Sequence, residues 1–129
     1  MNGKIFETHC HLDDERFDEN RHKLIGSLTE NDIEKVVNIS SDMDSVKKTL
    51  DLVDKHDFIY GAVGIHPSDI ADLSEDSFRW LEDKLSHEKV IAVGEIGLDY
   101  YWDKDKKVQE DQRLWFNRQM DMANRHDLP

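Results

Sequence analysis

The strongest constraint on this chain is a repeat of short apolar runs, each followed by a turn signal and a helical pattern. The runs cover residues 4–8, 34–40, 58–65 and 89–96, so their starts lie 30, 24 and 31 residues apart. A strand with its crossover helix and two loops needs about that many residues. The spacing therefore predicts βα repeated four times. Val36 and Val37, Ala62 and Val63, and residues 90–93 are continuously apolar, as strands are when helices cover both faces of a parallel sheet. The intervening segments carry helical stripes: Phe17, Leu24 and Leu28; Met43, Val46, Leu50 and Val53; Phe78, Leu81 and Leu85; Val108, Trp115 and Met122. Ser74 followed by Glu75 and Asp76 reads as an N-cap with acids in the first turn.

The expected class is α/β with a parallel sheet. Two architectures satisfy it: an open doubly wound sheet, or part of a (β/α)₈ barrel, which needs about 250 residues in full. The length, 129 residues, suits one domain, and no Pro/Gly/Ser-rich linker divides it. Charged runs such as Asp13-Asp14-Glu15 and 104–107 are expected to be solvated faces.

The formal charge of −12 excludes a sequence-independent nucleic-acid binder working through a basic groove. A phosphate ligand would need a cation to mediate it. The single cysteine, Cys10, has no partner for an intramolecular disulfide. No apolar stretch reaches the ~18 residues of a membrane span, and no apolar h-region follows Met1 and Asn2. A cytoplasmic protein without membrane contact is expected.

The polar residues collect where the runs end. His9 and His11 close the first, His66-Pro67 the third, and Gly94-Glu95-Ile96-Gly97-Leu98-Asp99 the fourth. Carboxyl ends of parallel strands form the functional face of such folds, so these groups converge across more than 80 positions. His9 and His11 are two apart, which places both imidazoles on one side of a strand and Cys10 on the other. Such a pair can hold one metal ion, while one thiolate is too few for a zinc ribbon. Glu95, between glycines, either caps a loop or bridges cations. His66 is a candidate for substrate binding, with a structural role as its alternative; Asp99 is comparable, with helix capping as the alternative. His22, His56, His87 and His126 lie on helices or their ends and receive no chemistry.

Ile5 to Asp13, then Val63-Gly64-Ile65-His66-Pro67, then Ala92 to Tyr100, and finally Gln112, Phe116, Gln119, Ala123 and Leu128-Pro129 carry a resemblance. In order and over the whole chain they resemble the TatD family of metal-dependent deoxyribonucleases. The resemblance implies a TIM barrel, one or two divalent metal ions (Mg, Mn or Zn), and DNA as substrate through metal–phosphate contacts. It places His9 and His11 as first-strand metal ligands, Glu95 as the bridging and catalytic fourth-strand ligand, and His66 and Asp99 at the site mouth as substrate-binding groups. Residues 1–129 then correspond to the N-terminal half of a (β/α)₈ barrel, four βα units of eight.

Two departures accompany the resemblance. Glu7 stands where the family usually has aspartate, one methylene longer and able to alter the support of a ligand. The later strands, with further histidine and aspartate ligands, are absent, so weak metal binding and little or no nuclease activity are expected of these 129 residues. The paired histidines also fit a small-molecule hydrolase of the wider amidohydrolase superfamily. A third reading is a non-catalytic half-barrel that self-associates through its exposed strand edges.

Overall fold

The computed structural model describes residues 3–129, so the reading of Met1 and Asn2 lies outside the described residues. Four strands alternate with four helices: β1 (Ile5–Cys10), α1 (Arg21–Glu30), β2 (Ile33–Ile39), α2 (Met43–Lys55), β3 (Ile59–Ala62), α3 (Glu75–Asp83), β4 (Val90–Ala92) and α4 (Lys106–Arg125). All strand pairs are parallel, in the order β1-β2-β3-β4. This is the arrangement of four consecutive units of a (β/α)₈ barrel, where each crossover returns the chain beside the strand it left. The sheet's edges are β1 and β4, and Ile5 and Phe6 on β1 remain half exposed. No helix among the described residues is long and apolar enough to cross a membrane.

The apolar periodicity sorts into cores on the two sheet faces. Val36 packs with Ile25, Leu52, Val53 and Ile59 under α1 and α2. Val46, Val63, Ile65, Phe78, Leu81 and Met122 form the largest cluster, under α2, α3 and α4. Val37, Ile39 and Ala62 lie on the other face with Tyr60, as the period of two along β2 and β3 requires, and Ile91 and Ala92 join them where the β3–β4 register shifts. The Ser74 cap is present: its hydroxyl accepts from Ser77 N–H while the Ser77 hydroxyl closes back on Ser74 N–H.

Two readings are corrected. Phe17 does not share a helix with Leu24; it lies in a separate 3-10 turn, Glu15–Phe17, and α1 begins at Arg21 and buries Ile25. Asp13 is not a solvated charge. It is 7% exposed, and its carboxylate accepts from Asn38 Nδ2 at 2.9 Å and from the Ser45 hydroxyl at 2.7 Å. A carboxylate can be buried when donors replace its water. Its neighbour Asp14 does stay at the surface, where hydrogen bonds from Arg16 hold the carboxyl down at about 2.

The third and fourth strands are shorter than their apolar runs. After Ala62 and Ala92 the chain leaves the ladder, and its polar backbone groups find other partners. Gly94 N–H donates to Val63 O at 3.1 Å and Glu95 N–H to Ser40 O at 2.8 Å. The Ser40 hydroxyl lies 3.0 Å from both the nitrogen and the oxygen of Gly64. A Cβ at Gly64 would lie 2.8 Å from the Gly94 carbonyl carbon, so only glycine admits this crossing of backbones. The tips of β2, β3 and β4 are thereby tied into one platform.

Candidate metal centre

His9 is the penultimate residue of β1 and His11 follows its end. Their rings meet edge to face with centroids 5.2 Å apart. Glu95 comes from the loop after β4, and its Oε2 lies 3.9 Å from Nε2 of each histidine. Ligand atoms of the three residues all fall within 4.8 Å of one another. Strand ends far apart in the chain have placed two nitrogens and an oxygen around one point.

The surroundings decide what each imidazole can do. His11 Nδ1 lies 2.8 Å from Ile39 O; a carbonyl only accepts, so Nδ1 carries a proton, and in the neutral ring Nε2 keeps its lone pair on the side of Glu95. That is the state a metal requires, and the carbonyl fixes the ring as partners of metal-bound histidines do. Glu7 supports His9 through the backbone, accepting from His9 N–H at 2.9 Å. Cys10 points away: its thiol lies 3.5 Å from Val37 O, and burial pushes it up to about 12, so it offers no thiolate. The donor set, two nitrogens and one carboxylate, fits a divalent ion of borderline hardness.

A cleft of about 780 Å³ opens beside the centre, lined by His11, Glu95, Ser41, His66, Ser68 and Asp69 among others. Its carboxylates outnumber its two cations, Arg16 and Lys48. Burial, followed by the charge of Asp42, pushes the Asp69 carboxyl up from its ordinary value. His66 caps the 3-10 turn Pro67–Asp72, its Nδ1 accepting from Ser68 N–H at 3.1 Å. Because Nδ1 accepts, the neutral ring carries its proton on Nε2. His66 is thus prepared as a donor, the opposite tautomer from His11.

Asp99 is placed differently. It is not among the cleft-lining residues, and its carboxylate accepts from Tyr101 N–H at 2.9 Å. The sequence singled out His9, His11, Glu95 and His66, which the fold brings together, and, Glu7 apart, left the groups that hold them without a role. Asn38 is fully buried, accepts from Leu12 N–H at 2.6 Å and donates to Asp13 and to the Thr49 hydroxyl. The signal was present as one polar residue inside the apolar run at 36–39. Gln119 on α4 exchanges two hydrogen bonds with Ile65, at its N–H and its carbonyl, and Gln112 does the same with Asp99. Both glutamines are at most 1% exposed.

The family described as TatD related DNase matches residues 6–129. The chain belongs to this family. It is 35% identical over 125 residues to an uncharacterized metal-dependent hydrolase, YabD, of Bacillus subtilis, covering 97% of this chain and 48% of that protein. The crystal structure of YjjV, a TatD homolog from Escherichia coli, superimposes with a TM-score of 0.87 at 29% identity, over 100% of this chain and 50% of that one. A human 3'-5' RNA nuclease, TATDN2, is 39% identical over 69 residues, 54% of this chain and 9% of that protein. The chain spans about half the length of the full-chain relatives it matches. The structural match with YjjV extends over the whole of this chain and half of that one.

Proposed function

We propose that this chain supplies the first- and fourth-strand ligands of a divalent-metal centre that hydrolyses phosphodiester bonds in nucleic acid, with DNA as the principal substrate. The observation that carries the reading is the approach of His9 and His11 Nε2 to Glu95 Oε2, 3.9 Å each, beside a polar cleft. Family membership supports it, as do a family description naming DNase and a human relative named as an RNA nuclease. His9, His11 and Glu95 would hold a divalent ion, which when bound would supply Lewis-acid polarisation of a phosphoryl oxygen and acidify water near neutral pH.

The residues of this chain then take distinct parts. His9 and His11 present ring nitrogens, with His11 held in the required tautomer by Ile39 O. Glu95 is the carboxylate that faces both rings. His66, with its proton on Nε2, donates to a nonbridging phosphate oxygen in the cleft. Asp99 shapes the loop after Glu95 by accepting from Tyr101 N–H. The acidic cleft agrees with this division, since phosphate enters such a site only with cations.

The test uses Mn²⁺ and a single strand with phosphorothioate linkages, which resists cleavage. Mn²⁺ should tighten its binding by at least about tenfold, and His9→Ala with His11→Ala should remove that gain. Hydrolysis of DNA, RNA, a lactone and a cyclic amide is followed in parallel. Three protein ligands should give weak metal binding and slow turnover, confined to the phosphodiesters. Metal-dependent turnover of the lactone or cyclic amide without the phosphodiesters would replace this reading with the small-molecule one.

A further inference from the structure

The loop between Glu95 and α4 holds two large aromatic side chains in water. Tyr101 is 72% and Trp102 76% exposed. Their rings meet edge to face with centroids 4.6 Å apart. Lys104 Nζ sits 5.7 Å from the centroid of the Tyr101 ring. Aromatic residues of this size normally bury most of their surface, so an adjacent pair this exposed in the chain presents an open aromatic surface.

The loop is held, which separates this exposure from simple looseness. Gln112 binds both the N–H and the carbonyl of Asp99 and reaches Asp103 Oδ2 at 3.0 Å. Gln109 donates to Asp103 O at 2.8 Å, Lys104 donates to Tyr100 O at 2.7 Å, and Asp105 caps α4 through Lys107 N–H. The three acids of the loop are thus engaged: Asp99 accepts from Tyr101 N–H within the loop, Asp103 from the Gln112 side chain and Asp105 from Lys107 N–H, both on α4. Lys104 stands with the aromatic faces. In an acidic chain, this places two π-faces and a cation together at the strand-end side that carries Glu95.

We propose that Tyr101 and Trp102 are a stacking platform for an unpaired base of the nucleic acid whose phosphodiester reaches His9, His11 and Glu95; the proposal rests on the nucleic-acid reading of that site. Every base has a π-face, so stacking recognises a single strand without reading its sequence. A duplex keeps its interior bases stacked on one another and offers such a face only at its two ends. Lys104 complements the strand's phosphate charge, and the pinned loop lowers the ordering cost of binding.

The test is a fluorescence titration of the 129-residue chain in EDTA, which removes metal–phosphate contacts. Three probes of about 12 nucleotides are compared: oligothymidylate, an abasic strand of equal charge, and a blunt duplex. Oligothymidylate should quench the exposed tryptophan and bind roughly 5- to 150-fold more tightly than the abasic strand or the duplex. Trp102→Ala should lose that advantage and Trp102→Phe should keep most of it, with circular dichroism unchanged in both. Equal binding of oligothymidylate and the abasic strand, or wild-type affinity in Trp102→Ala, overturns the platform. So does a dimer in sedimentation that Trp102→Ala abolishes, since a second copy then covers the rings. His9→Ala with His11→Ala separates the two readings. Quenching in EDTA survives it if the platform is real, whereas loss of the Mn²⁺ effect bears only on the metal centre.

Discussion

Replacing Gly64 with alanine puts a Cβ 2.8 Å from the carbonyl carbon of Gly94 and 2.9 Å from its Cα and nitrogen. Carbon atoms pack at about 3.5–4.0 Å, so three backbone contacts overlap by about 0.6 Å or more. No flexible side-chain end is available to give way; the backbone leading into Glu95 has to move. Overpacking of this kind costs about 1–3 kcal/mol, offset by about 0.4–1 kcal/mol because alanine restricts the unfolded chain. A net loss of about 1–2 kcal/mol is expected in urea unfolding followed by circular dichroism. The functional consequence should be larger than the stability loss suggests. Metal–ligand distances tolerate about 0.2 Å, so displacing Glu95 should weaken Mn²⁺ binding by about tenfold or more in calorimetry. Gly61→Ala is the control: its Cβ would lie 2.9 Å from Thr49 Cγ2, a side-chain methyl on α2. It should lower stability while Mn²⁺ affinity holds. Unchanged stability and Mn²⁺ affinity in Gly64→Ala, or equal loss of affinity in both variants, would refute the reasoning.

Other sites test the framework. Asn38→Leu leaves Leu12 N–H without its acceptor and removes one donor from buried Asp13, so it should cost about 3 kcal/mol in urea unfolding, and a loss below about 1 kcal/mol would show that the network is dispensable. Gln119→Leu, similar in size, strips both bonds from Ile65 beside His66; about 2–4 kcal/mol should be lost, with faster amide exchange at residues 64–66. His56 is lowered from its ordinary value by burial first and then by His22, Lys55 and Lys89. The unfolded chain therefore binds its proton at higher pH than the folded chain, and this contribution to stability falls as pH drops through about 6.5. His56→Gln should shrink the fall in urea midpoint between about pH 7.5 and pH 5.5, and an identical fall in both proteins would contradict the assignment.

The candidate site was legible where local chemistry and strand geometry suffice. A period of two aligns His9 with His11 whatever the rest of the chain does, and the position of Glu95 after an apolar run marks it as a strand-end group. The boundaries were less legible. Residues 63–65 are as apolar as a strand but leave the ladder, because Gly64 crosses Gly94 and Ile65 pairs with a glutamine side chain from α4. Asp13 reads as one of three consecutive acids, and only Asn38 and Ser45, more than 20 positions away, reveal that it is buried.

The sequence by itself determined the βα repeat, the parallel sheet and the convergence of His9, His11 and Glu95 at the strand ends, since all three follow from periodicity and from which end of a strand a residue occupies. Tertiary structure decided the orientation of the His11 ring, the buried polar supports and the exposure of Tyr101 and Trp102. Each depends on a partner contributed from elsewhere in the chain: Ile39 O for His11, Gln119 for the backbone at Ile65, Gln112 for the loop that carries the aromatic pair. A residue type states what a side chain can donate or accept. Only the fold supplies the group that it meets.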